Sequence, residues 1–206
     1  MMKEILICSI PMKDKIEKAV YKSEDPSLPA SAKAFYYPVN SFLSETLSPG
    51  DCVDAVLIEK QGPFSNCEKN AELFQKELNT VCKATGADMS CKMIFTDFSQ
   101  KKSVHEILMK KIIDCIEDGS NIVADITYGS KDVPVVVFSA LEFAESHLHC
   151  EVKNILYGQS DFVDGAVSNT KLCDMIPLYC LSSVARTVKC DDPQKARQML
   201  EVLLSL

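Results

Sequence analysis

Tryptophan is absent from the 206 residues, and glycine and proline are sparse at 7 and 9. That scarcity excludes collagen-like, low-complexity and disordered chains. No apolar run approaches the roughly 18 to 20 residues that a membrane-spanning helix needs. The apolar stretch 5–10 is too short, before Pro11 and charged residues, for a secretory leader. The expectation is a cytoplasmic protein with no membrane partner. Basic residues are outnumbered, 22 against 29 acidic, for a formal net charge of −7. That balance argues against a general DNA- or RNA-coating protein, which carries a basic stripe. It leaves room for a small phosphate-bearing ligand held by backbone amides and one or two lysines.

Cysteine is the exception, with ten residues. None forms a Cys-x-x-Cys pair. The closest two, Cys173 and Cys180, are spaced more widely than a zinc knuckle and have no nearby His. Most lie in apolar stretches, where a free thiol behaves as a small hydrophobe. Reduced, mostly buried thiols are expected, with no metal and no other cofactor.

Hydrophobic patterning alternates strand and helix. Residues 2–10, 33–37, 52–58, 89–95, 121–126 and 150–157 read as strands. Residues 40–47 read as a short helix. From 65 to 85, Cys67, Ala71, Phe74, Leu78, Val81 and Cys82 follow a helical period that Gly86 stops. Ser103 and Glu106 have capping-box spacing at the head of another helix, and residues 131–147 and 193–206 complete the set. Strands alternating with long helices imply βαβ crossovers. The expected fold is α/β: a Rossmann-like, mainly parallel six-stranded sheet with helices on both faces. Residues 1–158 read as a ligand-binding domain, and 159–206 as a mostly loop and helical extension packed on it.

Ligands of open α/β sheets sit outside the carboxyl ends of the strands, beside the switch in strand order. Two strand ends here are chemically distinctive. One is Ser9-Ile10, where a hydroxyl follows an apolar strand. The other is Asp125-Ile126-Thr127-Tyr128-Gly129-Ser130-Lys131-Asp132-Val133-Pro134, a strand running through a polar turn into a helix. Such a turn can offer N–H groups and a positive helix end to a phosphate. Ser130 and Lys131 can equally be a helix cap and a solvated lysine, and Ser9 a strand-end hydroxyl capping a turn. No Gly-x-Gly-x-x-Gly, P-loop, serine elbow or Cys-His pattern appears. His105, His147 and His149 read as surface residues away from these two ends.

The loop 125–134, the strand ending Ile155-Leu156-Tyr157-Gly158, the aromatic run Phe35-Tyr36-Tyr37-Pro38 leading to Leu43 and Leu47, and Asp174-Met175-Ile176-Pro177 with Leu181 together resemble the CARF (CRISPR-associated Rossmann fold) domain. The resemblance covers roughly residues 3–182 and is closest to the branch whose loop reads Asp-Ile-Thr-His-Gly-x-Arg-x-x-Pro. Tyr128 stands where that branch has His, and the loop after the first strand lacks the glycines of many relatives. The resemblance implies a homodimer binding a cyclic oligoadenylate (cyclic tetra- or hexa-adenylate), the messenger of type III CRISPR defence, across its two-fold axis. Ser9, Ile10, Thr127, Tyr128, Gly129, Ser130 and Lys131 would form the cradle. It further implies either a metal-independent ring nuclease, with Lys131 stabilising charge on phosphorus and Ser9 orienting the nucleotide, or a non-catalytic sensor acting through a separate effector. The helix 131–147 is apolar nearly all round. It therefore reads either as a dimer-axis helix or as a deeply buried one.

Overall fold

Ile5, Leu6, Ile7 and Cys8 are each at most 1% exposed, because β1 (Lys3–Ser9) has strands on both sides and helices on both faces. The computed structural model describes residues 3–163 and 166–205. They divide into two compact units, Met1–Asp174 and Met175–Leu206.

The first unit contains β1, α1 (Pro38–Thr46), β2 (Cys52–Gln61), α2 (Cys67–Thr85), β3 (Asp88–Asp97), α3 (Lys102–Ile113), β4 (Asn121–Asp125), α4 (Asp132–His147), β5 (Glu151–Val163) and β6 (Ala166–Asp174). The sheet order is β3-β2-β1-β4-β5-β6. All pairs are parallel except the antiparallel β5–β6 pair. This is a Rossmann-like α/β sheet, and its strand order reverses between β1 and β4.

Side chains alternate across the sheet. Leu6, Cys8, Val53, Ala55, Leu57 and Val123 join one core with Phe42 and Leu43 of α1 and Phe74 and Leu78 of α2. Alternate residues such as Ile5, Ile7, Val56 and Ile122 face the other way, where α3 and α4 bury Leu108, Ile112, Val133, Val137 and Leu141. Gly86 ends α2 in the left-handed conformation (φ 79°), as a C-terminal glycine does. In the second unit, α5 (Ile176–Thr187) precedes α6 (Pro193–Leu204). The Asp192 carboxylate caps α6 by accepting from the N–H groups of Gln194 and Lys195 at 2.8 and 3.3 Å.

The structure corrects three local expectations. Residues 33–37 are not a strand. Beyond one isolated bridge between Phe35 and Ala19, the N–H groups of Tyr36 and Tyr37 donate to the Glu77 carboxylate at 2.9 and 3.1 Å rather than to a ladder. Residues 159–163 and 166–174 are not loop: β5 continues to Val163, and β6 from Ala166 returns along the edge of the sheet. Ser103 and Glu106 form no capping box, since α3 begins at Lys102 and no side chain caps it.

Candidate functional site

The β1 and β4 ends converge at the switch point, where Cys8 pairs with Asp125. Ser9 ends β1 at 4% exposure, and the turn after β4 lies directly over it. Gly129 has φ 98°, and a Cβ there would stand 2.9 Å from Ser9 Oγ. Only glycine meets both conditions without strain. Ser9 therefore supports the turn from below and does not front the solvent.

Asp125, 2% exposed, fixes the start of the turn. Its carboxylate accepts the Thr127 N–H at 2.8 Å, and the Thr127 hydroxyl oxygen accepts the Gly158 N–H at 2.8 Å from β5. Burial pushes the Asp125 carboxyl up to about 6, although hydrogen bonds from Thr127 oppose the rise. Tyr128 donates its hydroxyl to the Tyr36 carbonyl at 3.0 Å and packs edge-on against Tyr37 at 5.6 Å. Burial pushes the Tyr21 phenol up to about 12, and raises those of Tyr37 and Tyr128 as well. None of the three serves as a base near neutral pH.

From Tyr128 onward the turn has unspent donors. The N–H groups of Tyr128, Gly129 and Ser130 make no hydrogen bond among the described residues. They lead into α4, whose N-cap is Lys131, with no side chain capping the helix. Ser130 is thus not the cap. Lys131 is exposed, and its ammonium has no ion partner among the described residues. Consecutive free amides at a helix N-terminus form an anion-binding concavity.

A cleft of about 360 Å³ opens beside this turn. Thr127, Tyr128 and Gly129 line it, together with Lys13 and Tyr21 from the segment after β1 and Gly158 from β5. Lys13 Nζ sits 5.7 Å from the centre of the Tyr128 ring. Ile10 contributes no side chain: it is 1% exposed, its N–H donates to Ile58 at 3.0 Å, and its carbonyl accepts from Cys67 Sγ at 3.6 Å. Sequence reasoning missed Lys13, a lone lysine in a loop with no local signal. It also misplaced His105, which is not a plain surface residue. Its Nε2 lies 3.3 Å from Asp132 Oδ2, the oxygen that also binds Lys60 Nζ at 2.7 Å.

Among the described residues no cluster of three or more metal-ligating side chains forms, and no helix is long and apolar enough to cross a membrane. No family model matches the chain, and no curated protein matches it.

Proposed function

We propose that the protein binds a cyclic oligoadenylate at a two-fold dimer axis and cleaves it without a metal, as a ring nuclease of type III CRISPR antiviral defence. The observation that carries this reading is the row of free N–H groups at 128–130 beside the unpaired Lys131. It is an anion cradle at the switch point of a Rossmann-like sheet. The CARF-like loop sequence supplies the ligand class. α4 supports the dimer, because it leaves two large apolar side chains, Val135 and Phe143, 66% and 37% exposed. Such a surface suits a second copy of the chain.

In this mechanism a ribose 2′-OH attacks the adjacent phosphorus in line. The bond from phosphorus to the 5′-oxygen breaks, the departing oxygen takes a proton from water, and the 2′-OH proton is released to solvent. A 2′,3′-cyclic phosphate remains. Lys131 and the turn amides stabilise the charge that builds on the phosphoryl oxygens. Ser9 acts through Gly129 as a positioning residue, holding the turn in place.

The covering of Ser9 favours a second reading, a sensor that binds the ring without turnover. One experiment separates the two. The purified protein is incubated with cyclic tetra- and hexa-adenylate in EDTA, products are resolved by chromatography, and binding is followed by calorimetry. A 2′,3′-cyclic phosphate product supports the ring nuclease. Saturable binding with an intact ring supports the sensor. Neither binding nor cleavage overturns both.

A further inference from the structure

We infer that a second cleft, between α2 and the carboxyl ends of β2 and β3, binds a small organic cation, an amine or guanidinium, through the Glu59 carboxylate. Glu59 is only 5% exposed, yet its carboxylate makes no hydrogen bond or ion pair among the described residues. It lines a cleft of about 570 Å³. Its oxygens are not sealed off and keep contact with solvent at the cleft, but burial of the rest of the side chain penalises the charge and no protein group offsets that cost.

Among the described residues that line the cleft the one cation is Lys60, and its ammonium is committed elsewhere. The neighbouring Lys60 points to the opposite face of the sheet, where its ammonium is held 2.7 Å from Asp132. What surrounds Glu59 is more negative charge: Glu68 and Glu72 of α2 line the same cleft. Burial, reinforced by the charge of Glu68, pushes the Glu59 carboxyl up. A bound ammonium would reverse both effects.

The remaining walls suit an organic cation better than a metal. Phe95, opposite Glu59 in the β2–β3 register, offers a ring face, and Met93 offers a polarisable thioether. Gln75 donates its amide to the Met93 sulfur at 3.8 Å, which leaves the amide oxygen to accept a ligand N–H. No cluster of three or more metal-ligating side chains is present among the described residues. The inference stands on different residues from the anion cradle and does not depend on it.

The full chain is titrated by calorimetry with agmatine and with spermidine, and with magnesium chloride for comparison. Saturable binding of an amine is expected, weakened about tenfold or more in Glu59→Gln. Glu68→Gln, on the exposed first turn of α2, is expected to weaken binding about threefold. Glu201→Gln, an exposed carboxylate of α6, is expected to leave affinity unchanged. The inference is overturned by no saturable heat with either amine, or by magnesium binding as tightly as the amines. Equal losses in Glu201→Gln and Glu59→Gln overturn it too, since they indicate general charge attraction. If Glu59→Gln does not fold, Glu68→Gln decides: unchanged affinity there overturns the inference.

Discussion

The Lys60 ammonium lies 2.7 Å from Asp132 Oδ2 with 3% of the lysine side chain exposed, tying the end of β2 to the first turn of α4. The pair fixes the helix whose N-terminus carries the free amides. Burial alone would raise the Asp132 carboxyl, but the hydrogen bond and charge of Lys60 prevail and hold it at about 2. Removing Lys60 leaves the partly buried Asp132 carboxylate with only the His105 imidazole, at 3.3 Å, as an ion partner among the described residues. Lys60→Met is therefore expected to cost about 3 kcal/mol in urea unfolding. Lys60→Met with Asp132→Asn should recover part of that loss. An unchanged urea midpoint in the single variant would show that the pair contributes nothing. The wild-type contribution is present above the ordinary carboxylate value near 4 and is lost as pH falls toward about 2.

Asp125 works in the opposite direction. Its folded value of about 6 lies above the unfolded value, so between the two the native state holds a proton that the unfolded chain has released. Stability should rise as pH falls from above 6 toward 4, by up to about 3 kcal/mol from this group. Asp125→Asn should abolish that slope in denaturation curves collected across the range. A slope identical to wild type would contradict the assignment.

Gly129 and Gly50 separate backbone strain from contact. Both have positive φ, 98° and 87°, but a Cβ at Gly50 meets nothing within 4 Å. Gly50→Ala should cost about 1 kcal/mol. Gly129→Ala should cost more and should also reduce ring binding, because the turn must lift off Ser9. Equal melting temperatures for the two variants would mean the turn moves freely.

Lys131→Ala should weaken ring binding or slow cleavage about tenfold, a change of about 1.4 kcal/mol, with the melting temperature unchanged or slightly raised. A lysine at a helix N-terminus opposes the helix dipole, so its loss does not harm the fold. If turnover occurs, the single-turnover rate should carry most of the effect. Unchanged binding and turnover would leave the backbone amides as the only phosphate contacts.

Elements with a strong period and a stop signal were legible in the sequence. α2 is the clearest, with six buried apolar positions on one face and Gly86 behind them. The turn at 125–131 was also legible, because strand, glycine and helix follow one another directly. The run 33–37 looked like a strand because aromatics favour sheets. Its amides instead go to Glu77, 40 residues away in sequence, and local pattern cannot register that. β6 was missed because an edge strand with polar residues such as Ser168, Asn169 and Lys171 carries little apolar signal. His105 and Lys13 gain meaning only from neighbours that the fold brings to them.

The position of β1 also bears on how the chain is made. Of the six strands of this sheet β1 is made before the other five, yet it occupies the middle, between partners at 52–61 and 121–125. Until β4 is synthesised, one edge of the apolar run Ile5-Leu6-Ile7-Cys8 has no strand beside it. Unpaired apolar edges recruit other chains. A nascent chain halted in α3 is thus prone to aggregate, whereas one that has passed Asp125 can close both edges of its first strand.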